Sequence, residues 1–282
     1  MSDALFGFCQ FEFPWLLGPA PGRYVLREQM GEAPGHVLVV AELGAPQRRR
    51  LGARRVRRAE PEPDPEPVAT GRATVVDAQP LDDEDAADRW LAGSDLGRLA
   101  DAAIVRLGGA VHAHRVATAD PAVPTVTRRS ALVTRVGFGP GEQVADGRWT
   151  QARTVSLPRP GRRGRGAMGA QERLAALLGG RDAALACEEL TLRARSDVDA
   201  GREREAALQI SVALDAALAE LPAYAGRRTI EERLGHLDGS REGIEAAAQA
   251  ALRGGLTPEQ LEHVILTLRR LEAALRAVAA GS

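Results

Sequence analysis

The hydrophobic pattern of the chain changes character across residues 158–167, PRPGRRGRGA. Before this break, runs with apolar residues at every second position flank two helical stretches. After it, apolar residues recur every third and fourth. A period of two buries one face of a strand, and a period of 3.6 buries one stripe of a helix. One architecture cannot serve both halves. The sequence predicts an α+β N-terminal domain over 1–157, a linker over 158–170 and a helical domain over 171–282.

In the first half, four of the five phenylalanines (Phe6, Phe8, Phe11, Phe13) crowd the N-terminus, and Trp15 follows them. Cys9, Phe11, Phe13 and Trp15 alternate with Gln10, Glu12 and Pro14, the pattern of a half-buried strand. Runs at Arg23 to Glu28 and His36 to Leu43, parted by Gly31, Pro34 and Gly35, predict a hairpin. Ala73 to Gln79 and Ala131 to Gly137 read as further strands. Two helices are expected between them. The acids Asp82 to Asp85 favour a short one by its N-terminal dipole, and Asp95 caps a longer one to about Val116. Asp146-Gly147 reads as a two-residue hairpin turn joining Gln143–Ala145 to Arg148–Val155. The expected head is an antiparallel or mixed sheet with two helices.

The head is interrupted at 46–70. Residues 48–58 read RRRLGARRVRR, with seven arginines in eleven positions. From Glu60 the chain reads EPEPDPEP. Proline at every second position forbids a helix and favours an extended tether. We expect a disordered insertion.

The second half predicts helices over Gln171 to Leu178, Arg181 to Arg195 and Arg202 to Leu221. Asp197 to Gly201 lacks the remaining ligands of a calcium loop and reads as a kink or cap. Thr229 with Glu232 suggests a capping box, and Ser240 caps a helix that stops at Gly254-Gly255. Thr257-Pro258-Glu259-Gln260 combines cap, first-turn proline and capping glutamine. In the last helix Leu261, Val264, Leu268, Leu271, Leu275 and Val278 alternate spacings of three and four, a heptad seam. The seam serves either a helical bundle of this chain or a coiled-coil-like homodimer.

Composition mostly excludes. All 37 basic residues are arginine, and there is neither lysine nor asparagine. A Walker phosphate loop, a Schiff-base lysine and a Cys-His-Asn triad are therefore absent. Ile, Phe, Tyr and Met are scarce beside Ala, Gly, Arg and Pro, as codon bias in a GC-rich genome produces. Cys9 and Cys187 are too far apart and too different in context to suggest a disulfide framework. His112 and His114, two apart on a helix, point away from each other. Glu232/His236 and Glu259/His263 are four apart, where a di-iron helix needs three. Gly137-Phe138-Gly139-Pro140-Gly141 breaks the dinucleotide fingerprint at Glu142. No catalytic, cofactor-binding or metal site is expected, and no cofactor.

The arginine clusters are the only candidate contacts for phosphate: Arg48, Arg49, Arg50, Arg54, Arg55, Arg57 and Arg58, then Arg162, Arg163 and Arg165. Neither is interleaved with an aromatic stacking platform. The net charge is −1, and charge is balanced in each region, so any basic surface is local. The leading expectation is a non-enzymatic interaction or scaffold protein, its partner another protein or a second copy. A nucleic-acid-associated protein and an enzyme of unknown class are the alternatives. With no basic segment before the first apolar run, and no apolar run long enough to span a bilayer, the expected setting is cytoplasmic, without a transmembrane segment.

Overall fold

A computed structural model describes residues 4–27, 32–44, 68–157, 164–224 and 228–279. The chain divides into two compact units, Met1–Arg159 and Pro160–Ser282. The protein is α+β: a six-stranded antiparallel sheet, then several helices.

In the first unit, β1 (Leu5–Phe13), β2 (Gly22–Leu26), β3 (His36–Leu43), β4 (Thr70–Leu81), β5 (Val133–Pro140) and β6 (Gln151–Thr154) lie in the order β2-β3-β4-β1-β5-β6. Every neighbouring pair is antiparallel. The aromatic N-terminal strand is therefore central. Helices α1 (Glu84–Gly93) and α2 (Leu96–Thr118) connect β4 to β5. Asp83 and Asp95 cap them by accepting from the Ala86 and Arg98 N–H groups at 2.7 and 3.1 Å. Both helices pack on the sheet face that carries Cys9, Phe11, Phe13, Leu38, Val75 and Val136. Alternation on β1 sends Phe8, Gln10 and Glu12 to the opposite face.

The expected Asp146-Gly147 hairpin does not form. Gly141–Asp146 is a 3-10 turn, and β6 pairs with β5 rather than with residues 143–145. Gly141 and Gly147 both hold left-handed backbone, at φ 52° and 83°. The chain curls between them and drops the fully buried Val144 against Phe8 and Val76. That burial outweighs what a short edge strand would gain.

Gly137 marks the tightest approach in the sheet. A Cβ there would sit 2.7 Å from Ala152 Cα, on backbone that has no room to yield. Gly137→Ala should strip β6 from the sheet and cost about 1–3 kcal/mol of head stability, as over-packing does. A urea titration followed by head-specific fluorescence checks this.

In the second unit α3 (Gly164–Leu178) starts inside the stretch expected to be linker, so helix begins six residues before 170. The next helix, α4, is Ala186–Asp199; residues 181–185, expected to be helical, are not. Gly201 (φ 69°) separates it from α5 (Glu203–Glu220). A 3-10 turn, Leu221–Tyr224, precedes α6 (Arg228–Asp238), α7 (Arg241–Arg253) and α8 (Pro258–Ala279). Helices α4, α5, α7 and α8 share one apolar core with Ile230 and Leu237 of α6. Glu203–Tyr224 is long and apolar enough by length and composition to cross a membrane. Ala206, Ile210, Ala213, Leu214 and Ala217 of that segment are buried in this core.

Capping differs from expectation at one helix, and another takes a cap from far along the chain. Ser240 makes no side-chain cap bond. Its hydroxyl instead donates to the His236 carbonyl at 3.0 Å and accepts from Arg270 at 2.7 Å. The N-terminus of α4 is capped from 34 residues away. The Glu220 carboxylate accepts from the Ala186 and Cys187 N–H groups at 3.1 and 3.0 Å. The Thr257/Gln260 box is present: Thr257 N–H donates to Gln260 Oε1 at 2.9 Å, and Gln260 N–H to Thr257 Oγ1 at 3.3 Å.

Candidate functional site

The helix-free face of the sheet holds a polar centre. Register sets it: Gln10 lies opposite Thr74 on one side and Arg135 on the other, and Glu12 lies opposite Arg72. Glu12 Oε1 accepts from Arg72 at 2.9 Å and from Arg135 at 2.8 Å. The three side chains keep only 15%, 18% and 25% of their surface exposed. Gln10 is fully buried. Its Nε2 donates to Thr74 Oγ1 at 3.0 Å and, at longer range, to the Val144 and Ala145 carbonyls at 3.3 and 3.5 Å. Its Oε1 accepts from Arg135 at 3.3 Å. Arg135 also lies over the Trp149 ring, 5.7 Å from its centroid.

This cluster holds charge rather than moving protons. Burial alone would push the Glu12 carboxyl up. Hydrogen bonds and charge from Arg135 and Arg72 outweigh that and hold it below the usual carboxylate range. A carboxylate clamped by two guanidiniums stays ionised near neutrality and makes a poor general base. The buried thiols are no better as nucleophiles. Burial pushes Cys9 up to about 12, and burial with the adjacent Glu220 carboxylate does the same to Cys187. Neither thiol should react with DTNB in the native protein. Each should react when its own unit unfolds, so the two labelling transitions in urea report the two units separately. Rapid native labelling of either would contradict the packing described.

Around the polar centre, the same face carries Val37 and Val39 of β3, both half-buried, and Val25 of β2, 52% exposed. Among the described residues, the head's helices pack only on the other face. A segment from Gly141 to Thr150 roofs the Phe8 end, with Val144 packed beneath it and Trp149 5.7 Å from Phe8.

The residues singled out from sequence fall elsewhere. Arg48, Arg49, Arg50, Arg54, Arg55, Arg57 and Arg58 lie outside the described residues, as do Arg162 and Arg163. Arg165 lies within α3. The strands that flank the first cluster end together: Leu43 pairs with Thr70, two register positions from the Ala41–Arg72 pair. The heptad seam is spent inside the chain. Val264, Leu268 and Leu271 are fully buried, Val278 nearly so, and Leu275 packs on the same core. Leu261, at the start of the seam, is half-buried.

His114 and His263 serve packing. His114 lies against Gly18, whose Cβ would approach it to 2.9 Å. His263 Nε2 is 3.3 Å from the Ser240 carbonyl. Asp197 pairs with Arg202 at 2.7 Å, bracing the kink between α4 and α5. Among the described residues no group of three or more His, Cys, Asp or Glu is placed to hold a metal ion.

Sequence reasoning missed the Glu12–Arg72–Arg135 cluster. Its members lie 60 and 123 residues apart. The available signal was the pair Gln10 and Glu12, polar residues at alternate positions in an otherwise aromatic strand. A core strand with a polar face must satisfy that face.

Comparisons with family models, curated proteins and solved structures return no match.

Proposed function

We propose that the protein is a non-enzymatic interaction protein that receives a protein partner on the helix-free face of its sheet, at β2 and β3. The observation that carries this reading is the character of that face. Glu12, Arg72 and Arg135 are locked in one cluster, and the margin of the face exposes Val25 beside Val37 and Val39. Fixed charges with an apolar margin suit recognition, where charge sets register and burial supplies affinity. The helical unit is read as a bundle built on its own core, the seam of α8 included. Self-association through that seam is the less favoured form of partnership, since its central residues are already buried.

The test is a paired affinity purification from the native cells. Val25→Glu with Val39→Glu should keep the wild-type melting temperature and lose the partners that wild type retains. An identical set of partners on both proteins would refute the reading.

A second reading is favoured by one observation. The insertion that carries the first arginine cluster leaves and rejoins the sheet at Leu43 and Thr70, beside Arg72. In this reading the arginines of the insertion bind nucleic acid. Binding of a labelled single-stranded oligonucleotide should then weaken steeply with salt, as counterion release demands, and vanish when the arginines of 48–58 are replaced by glutamine. Unaltered fluorescence anisotropy at low salt would dismiss it.

A further inference from the structure

We propose that residues 141–150 form a displaceable cover, and that the strip of β1 and β4 beneath it extends the docking face of β2 and β3, shaped for an extended segment bearing a carboxylate. This rests on the docking reading above. The cover is anchored chiefly by packing: Thr150 N–H ties its C-terminal end to the Phe138 carbonyl of β5 at 3.0 Å, and the polar ties of its middle to the sheet are long. Gln10 Nε2 reaches the Val144 and Ala145 carbonyls at 3.3 and 3.5 Å, and Arg72 reaches the Ala145 carbonyl at 3.5 Å. These lie at the outer limit of hydrogen bonding, where the interaction is weak. By contrast the cover's internal turn is well formed, with Arg148 N–H donating to the Gln143 carbonyl at 3.0 Å. It therefore moves as a unit. Gly141 and Gly147, both with left-handed backbone, supply pivots that need no side chain to move.

Lifting the cover bares Phe8, Gln10, Thr74 and Val76, with Arg72 at the end of the strip. Phe8, Gln10 and Glu12 stand at alternate positions on β1, the spacing an extended chain matches. The electrostatics select the ligand. Two guanidiniums share one carboxylate oxygen of Glu12, leaving the cluster one positive charge in excess. Arg72 Nε is buried without a hydrogen-bond partner. An incoming carboxylate would meet that donor and replace the long carbonyl contacts with charge-assisted ones.

The experiment is hydrogen exchange on the full chain, then titration with a hexaglutamate peptide. Amides of 143–149 should exchange at least about tenfold faster than those of β1 and β5, with little dependence on low urea, as local opening requires. Exchange of these amides only with the strands, through global unfolding, would overturn the proposal. Hexaglutamate should accelerate exchange in the cover, and hexalysine should not. Equal effects of the two peptides, or none, would overturn the ligand assignment. Val144→Ala, which loosens the cover without adding charge, should bind hexaglutamate several-fold more tightly than wild type. Should that variant not fold, the wild-type exchange rates decide alone. Val25→Glu with Val39→Glu, which tests the docking reading at β2 and β3, should leave the exchange of 143–149 unchanged, so the two readings fail separately.

Discussion

Leu268→Arg should unfold the helical unit without altering the assembly state of what remains folded. Leu268 is fully buried in a core shared with Ile210, Leu214, Leu237 and Ile244. The charge would enter that core with no partner there, and the transfer penalty far exceeds the few kcal/mol by which a small domain is stable. The milder Leu268→Ala should cost about 2–5 kcal/mol through lost burial and the cavity left behind. Circular dichroism at 222 nm and sedimentation velocity together make the measurement. Loss of helix at unchanged mass is the expected outcome for Leu268→Arg. A folded protein that merely halves its mass would show instead that the α8 seam binds a second copy.

Glu12→Gln should be the most damaging polar substitution in the head. It removes the one carboxylate that Arg72 and Arg135 share and leaves two largely buried guanidiniums facing a neutral amide. Hydrogen bonds to charged groups contribute about 1.5–3 kcal/mol, and partial exposure places this case near the lower end. The pH dependence follows in sign. The folded-state carboxyl is held below its unfolded value. Its contribution is therefore complete above the unfolded value and is lost as pH falls through the folded one. The stability gap between wild type and Glu12→Gln should be widest at neutral pH and close toward strong acid. A gap independent of pH would mean that Glu12 contributes by packing alone.

How far the fold could be read from sequence depended on whether its determinants were local. Asp83, Asp95 and the Thr257/Gln260 box act within a few residues of themselves, and each marks a helix start that the structure contains. The hairpin of β2 and β3 was equally plain, because alternation and the glycines between the runs are local signals. The Asp146-Gly147 turn misled for the opposite reason. Its local signature was sound, but Gly141 upstream and the pocket at Phe8 and Val76 decided the outcome. Glu220, which caps α4, and Arg135, which clamps Glu12, act across 33 or more residues. Their partners follow from sheet register and helix packing, which periodicity alone does not specify. The heptad spacing of α8 marked a buried stripe without saying what buries it. The arginine runs, the most conspicuous feature of the sequence, lie almost wholly outside the described residues.

On the reading proposed, the helix-free face of the sheet receives a partner at β2 and β3. Hydrogen exchange of the full chain, alone and with the co-purified partner, tests it most directly. Protection of residues 22–26 and 36–43, with the amides of α1 and α2 unchanged, is the predicted result. Protection of α1 and α2, with β2 and β3 exchanging as freely as before, would contradict it.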